Sequence, residues 1–231
     1  MQLTEVKKGH VGSGLLLEND GYVSLDDKEN RLIRESLESG NPELPNPFVL
    51  SAVFQKYGIE NANGRIYPED ILKREVAKYQ QAIEERRAYG ELNHPESSCI
   101  DLGRVAINIL ELHWEGHTLV GKLEIPISEG FRKFGIISSC ADMAAQWLLS
   151  GLKIGVSSRG LGSVKQEFGR LVVGDDYEIV CWDVVAQPST PGAWMDKDPV
   201  NLKQYMESEE KKDNLINEDG FSKFDKWLLN G

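Results

Sequence analysis

Cysteine, histidine and positive charge are all in short supply in this chain of 231 residues. Its three cysteines, Cys99, Cys140 and Cys181, stand far apart without a CxxC pair, which argues against a zinc knuckle or a disulfide framework and suits a reducing compartment. With 26 lysines and arginines against 37 aspartates and glutamates, the formal net charge is −11. A surface of that sign repels phosphate backbones, so proteins or peptides are the expected partners and nucleic acid is not. Long apolar runs are missing as well. The stretch MQLTEVKKGHVGSGLLLEND holds only the short run GLLLE, with neither the apolar core nor the cleavage site of a signal peptide. No later segment approaches the length of a membrane span, so an intracellular protein without membrane contact is expected.

The residues that are present divide the chain into three. Residues 1–46 are polar and mixed, with a short helix in LDDKENRLIRESLESG and a Gly/Pro-rich linker, and are expected to form an attached leader. Residues 47–195 carry the patterns of the main domain. It opens with a strand at FVLSAVFQ, turns at GIENANGRIYP and enters a helix at Pro68, with Leu72, Val76, Tyr79 and Ile83 on one face. RVAINILELHWEGHTLVGKLEIP reads as a hairpin about Glu115–Gly116. GIISSCADMAAQWLLSG reads as a second helix with Ile136, Cys140, Met143 or Ala144, and Trp147 on its apolar side. RLVV and YEIVCWDVVAQ add further strands. Residues 196–231 form a charged tail that closes on a short amphipathic helix bearing Phe221, Phe224 and Leu228. Hairpins with two separate helices are not the alternation of a doubly wound sheet. The expected fold is α+β, a mostly antiparallel, barrel-like sheet with packed helices.

Four histidines leave few choices for a general base. His10 lies in the leader. His113 and His117 flank the hairpin turn in HWEGH, which lacks the helical HExxH arrangement of a metal site, and no metal or cofactor is expected. His94, in GELNHPESS, precedes a proline that imposes extended or turn backbone and holds the ring at a strand end. Taken alone, a histidine hydrogen-bonded within a turn is the simpler reading.

In GVSSRGLGSV, Ser157 and Ser158 enter a strand, so they face opposite sides and only one can face a site. Arg159 stands where the GxSxG elbow needs its second glycine, and the lysine of a P-loop is missing. Gly160 and Gly162 permit tight turns that aim backbone N–H groups at an oxyanion, with Arg159 adding positive charge; a glycine-rich turn with a solvated arginine accounts for the same residues. Asp183 sits among strand-forming apolar residues, where a charge is costly unless paired. It either orients His94 or points to the wet face of its strand, with Trp182 and Val184 inside. In the second case Asp101 or Glu91 would take the orienting role.

GELNHP, GVSSRGLGSV and DVVAQPSTPGAW, with NGRIYPEDIL upstream, resemble the prohead core protein proteases of T-even-type tailed phages, a serine protease family related in fold to the herpesvirus assembly proteases. The likeness spans about Phe48 to Trp194 and keeps the order His, Ser, Asp. It implies His94 as the base, Ser157 as the nucleophile, Asp183 as the orienting acid, Ser158 as a structural neighbour, and Arg159 with Gly160 on the oxyanion side. It further implies an endopeptidase inside the immature head, in the cytoplasm of a bacterial host. Its substrates would be scaffold, core and major capsid proteins, and a homo-oligomer is compatible with the family. Cleavage in such systems follows a glutamate with an aliphatic residue two positions before it. Ile33-Arg34-Glu35 and Ile216-Asn217-Glu218 fit that pattern, so Glu35 and Glu218 are expected self-cleavage sites.

Two rivals stand beside this reading. One is a non-catalytic scaffold or core component of the prohead, in which the acidic tail and terminal helix bind the shell. The other is a cysteine hydrolase built on Cys99, close to His94 in sequence.

Overall fold

The computed structural model describes residues 4–18, 21–24, 44, 47–152 and 154–186. Within them lie ten strands and three α-helices. In chain order these are β1 (Gly12–Leu17), β2 (Gly21–Ser24), β3 (Phe48–Lys56), β4 (Arg65–Ile66), α1 (Glu69–Glu84), β5 (Tyr89–Glu91), β6 (Val105–Glu115), β7 (Thr118–Ile125), α2 (Glu129–Phe134), α3 (Cys140–Leu149), β8 (Gly155–Glu167), β9 (Arg170–Val173) and β10 (Glu178–Val185). The fold is mixed α+β. Every strand pair is antiparallel except β4 with β9.

Strand β8 is the axis of the sheet. Arg159 and Leu161 pair with β1 on one edge and β10 on the other, and Gly155 and Val156 likewise lie between β2 and β10. Thus β1 and β2 follow one another along a single edge of β8, although both come from the segment expected as a leader. That expectation rested on its polar composition; the short run Leu15–Leu16 suffices to anchor it, and both side chains are fully buried. The serine and glycine stretch, residues 155–164, is therefore not a turn but the larger, first part of a 13-residue strand.

The helices cover the sheet from positions the sequence largely announces. Pro68 precedes α1, Glu69 and Asp70 fill its first turn, and Ile71, Leu72, Val76 and Tyr79 form its buried face. Trp182 on β10 meets Tyr79 edge to face at 5.0 Å between ring centroids and Phe54 on β3 at 5.7 Å. This makes one core cluster between sheet, α1 and α3. Helix α3 starts later than expected: the Ser139 hydroxyl caps it by accepting from the Asp142 N–H. Ile136 consequently lies outside it and is exposed, and the buried stripe is Ala141, Ala144, Ala145 and Leu148. Helix α2, ended by Gly135 at φ 68°, was not anticipated.

The hydrogen-bonded path runs β4-β9-β8-β2-β3-β7-β6-β5 and ends open, so no closed barrel forms among the described residues. The local reason is short: β5 has three residues, and the chain leaves it through Asn93 at φ 62°. One isolated parallel bridge, Leu92 to Val184, joins that exit to β10. Glu35, Glu218 and the tail helix lie outside the described residues.

Candidate active site

Register places the reactive groups. In the antiparallel pair of β8 and β10, Ser157 stands opposite Asp183, Arg159 opposite Cys181, and Ser158 opposite Trp182. Directly opposed residues share a face, so Ser157, Asp183, Arg159 and Cys181 lie on one side of the sheet and Ser158 lies with Trp182 on the other. His94 arrives from the loop after β5, which is fixed beside β10 by the Asn93 N–H donating to the Val184 carbonyl at 2.8 Å. The left-handed backbone at Asn93 and Pro95 after His94 set the direction of the ring.

The three groups form a chain of contacts. His94 Nε2 is in hydrogen-bond contact with Ser157 Oγ, and His94 Nδ1 lies 2.7 Å from Asp183 Oδ2. Asp183 Oδ1 accepts the Glu91 backbone N–H at 2.8 Å. Behind it, Arg159 Nε lies 2.9 Å from Asp183 Oδ2, and its Nη2 lies 3.3 Å from Glu91 Oε2. Arg159 Nη1 donates to the Ser97 carbonyl at 2.7 Å, tying the loop past His94 to the same cation. Asp183, Glu91 and Arg159 are all fully buried. Burial pulls the Arg159 pKa down, yet the Asp183 and Glu91 carboxylates more than offset it, so the guanidinium stays charged. The Cys181 thiol moves the other way: burial and the Asp183 charge push it well up, which keeps it protonated and unreactive.

Two expectations need correction. Arg159 is not solvated: it is fully buried and braces Asp183 and Glu91 from behind. Gly160 does not turn and has no free edge, because it pairs with Leu16 on β1 and Ile179 on β10. Glycine is needed there for another reason: a Cβ would come within 2.4 Å of the Tyr177 ring. Asp183 does not face water, since β10 is buried on both sides and Trp182 and Val184 are buried with it. Cys99 is exposed and has no contact with His94, whose ring is already engaged. His113 lies exposed between the Glu111 and Glu115 carboxylates, at 3.2 and 3.3 Å, and the described residues hold no cluster of His, Cys, Asp or Glu suited to a metal.

Sequence reasoning missed two buried acids, Glu91 as a bracing partner and Glu18. Leu16-Leu17-Glu18 has the same aliphatic-any-glutamate spacing as the two triplets singled out, and that signal was available in the sequence.

Comparison with known proteins decides the family. The model of the family described as "Prohead core protein serine protease" matches residues 25–208. The chain belongs to that family. It is 31% identical over 167 residues to the prohead core protein protease of Enterobacteria phage T4, covering 71% of this chain and 75% of the relative. The solved structure of the bacteriophage T4 capsid assembly protease, gp21, superposes with a TM-score of 0.59 at 26% identity, over 74% of this chain and 96% of that one. Membership makes the chain a peptidase of the prohead type. The matched span begins after β1 and β2, so the strands on that edge of β8 lie outside it.

Proposed function

We propose that the protein is a serine endopeptidase of the phage prohead that cuts scaffold, core and major capsid proteins during capsid maturation, with Ser157, His94 and Asp183 as its catalytic residues. The observation that carries this reading is the contact chain from Ser157 Oγ through the His94 ring to Asp183. An ionised Asp183 only accepts, so Nδ1 keeps its proton and Nε2 presents its lone pair to the serine hydroxyl. Ser157 then attacks a peptide carbonyl while His94 takes its proton and returns it to the leaving amine. Water, activated by the same ring, releases the acyl group. Arg159 acts through Asp183 as a positioning residue. The sheet is proposed to curl in the barrel-like manner of the herpesvirus assembly proteases, a reading supported by the Leu92–Val184 bridge. The place of action is proposed to be the interior of the immature head in the bacterial host, and Glu35 and Glu218 are proposed sites of self-processing.

Ser157→Ala separates this reading from that of an inert scaffold component. Cleavage of scaffold or capsid protein by the purified variant is expected to fall about 10⁴-fold or more. Unchanged cleavage would sink the assignment, and labelling of another residue by an acylating probe would move the nucleophile.

A further inference from the structure

The acid that faces His94 has a companion that works against it. Asp183 is fully buried, and one guanidinium reaches both of its oxygens. Arg159 Nε lies 2.9 Å from Oδ2, the oxygen turned to His94 Nδ1, and Arg159 Nη2 donates to Oδ1 at 3.2 Å. A cation there offsets the cost of an ionised carboxylate at that depth. It also opposes the reaction, because the charge that His94 gains on taking the serine proton then forms beside a positive charge already in place.

Glu91 stands on the other side of that cation. Its side chain is fully buried, with Oε2 3.3 Å from Arg159 Nη2 and 4.0 Å from Arg104 Nε, and this oxygen takes no hydrogen bond among the described residues. Oε1 accepts the Asp101 N–H, and the Glu91 N–H donates to Asp183 Oδ1 at 2.8 Å. One oxygen and the backbone thus fix the residue in place, and the other oxygen meets Arg159 as a charge. A buried oxygen left without a hydrogen bond is costly, which points to a task beyond holding the fold. The other groups around His94 do not supply a balancing negative charge. Cys181 and Tyr79 stay neutral, because burial pushes both pKa values well up. The Glu18 carboxylate is paired with Arg65, and only its backbone carbonyl approaches the ring, 3.4 Å from Nε2. Arg104 is half-exposed and Glu96 and Asp101 are exposed, where water and salt screen them.

We infer that Glu91 is a positioning residue of the reaction: it neutralises Arg159, so that the charge of Asp183 acts on His94. This rests on the serine protease reading. Asp183 and Glu91 against Arg159 leave one negative charge in the buried cluster. When Ser157 Oγ attacks, its proton moves to His94 Nε2 while Nδ1 keeps its own, and the imidazolium brings the sum to zero. Without Glu91 the same transfer would leave a net positive charge in a site shielded from water. Arg159 therefore holds Asp183 in place, and Glu91 cancels what that hold would cost the base.

The test uses the full chain and separates charge from fit. Glu91→Gln keeps an oxygen for the Asp101 N–H and removes the charge, whereas Glu91→Asp keeps the charge on a shorter arm that gives up that bond. Loss of a negative charge disfavours the imidazolium. In Glu91→Gln, kcat/KM on a peptide substrate is therefore expected to fall about tenfold on its plateau, with its acid limb about one pH unit further toward acid. Glu91→Asp is expected to keep the acid limb within about 0.3 unit of the wild type, whatever it loses in stability. A readout without catalysis comes from Ser157→Ala: the His94 ring, followed by NMR, is expected to take up its proton about one unit lower once Glu91→Gln is added. Should Glu91→Gln fold poorly, the Arg159→Gln, Glu91→Gln double variant removes one charge of each sign and is expected to return the limb to within about 0.3 unit of the wild type. An acid limb and a His94 titration unmoved by Glu91→Gln overturn the inference, as does an equal shift in Glu91→Asp or a limb displaced by about a unit in the double variant. Ser157→Ala cleaving like the wild type would instead remove the protease reading beneath it, and the NMR comparison would stand.

Discussion

Two arginines are buried on opposite faces of β8, and they hold their carboxylates in different ways. Arg159 sits under Asp183 and Glu91, both on strands whose neighbours fix them in place. Arg65 closes on Glu18, which ends an edge strand and is otherwise held by two amides and a phenol. The first cluster is anionic on balance and shares one carboxylate with His94; none of its members can leave without opening the sheet. The second cage is a cation with neutral donors that together satisfy both oxygens of Glu18. The first acid is placed to orient a base, whereas the second ties the end of β1 to the stretch 61–67.

The sharpest way to break this contrast is Asp183→Asn. The amide keeps the volume of the carboxylate, but in either orientation it sets its NH2 against N–H donors and no longer fixes the proton on Nδ1. A drop in kcat of about 10³- to 10⁴-fold is expected, together with a lower thermal midpoint because Arg159 loses a buried charged partner. Loss of less than tenfold, measured on a peptide substrate, would take Asp183 out of the mechanism.

Next in size is Arg159→Ala, which acts on the fold before it acts on the chemistry. Removing the guanidinium leaves Asp183 and Glu91 buried near one another with Arg104 Nε as the nearest remaining cation, 4.0 Å from Glu91 Oε2. A loss of about 3–5 kcal/mol is expected from the midpoint of urea unfolding. If Arg159 were on the oxyanion side instead, the variant would lose kcat while keeping its stability.

That difference marks where the sequence was legible. His94, Ser157 and Asp183 could be read because each carries a local mark: a proline after the histidine, two serines at a strand entry, an acid among β-branched and aromatic neighbours. The side on which Arg159 would point was not legible, since an arginine next to serine and glycine looks the same in a solvated turn and in a buried strand. Register alone settles it, by setting Arg159 opposite Cys181. Glu18 was lost among 37 acids and Glu91 was read only as a substitute for Asp183, because burial is decided by residues distant in the chain. The glycines misled for a related reason: Gly160 answers to the Tyr177 ring, which packs on it from across the sheet, and not to its own backbone angle. The hairpin and α1 were easier, because their periodicity is a property of one segment.

The smallest effect is expected at another buried carboxylate, Asp142, which pairs with no arginine among the described residues. It accepts from the Ser128 N–H at 2.7 Å and hydroxyl at 2.8 Å, and from the Ser138 N–H and hydroxyl, both at 2.9 Å. Burial raises its pKa, but these four donors outweigh burial and hold it below the ordinary 3.8. A group whose pKa is depressed by folding stabilises above its unfolded value and loses that contribution as pH falls through the folded one. Asp142→Asn should therefore lower stability by about 1–2 kcal/mol at pH 7, the scale of a hydrogen bond to a charged group, and by progressively less in acid. Urea unfolding of wild type and variant across the acid range checks it. A gap that stayed constant down to the acid limb would mean that Asp142 is held by shape and not by its charge. It would leave the arginine clusters as the places where ionisation is linked to folding.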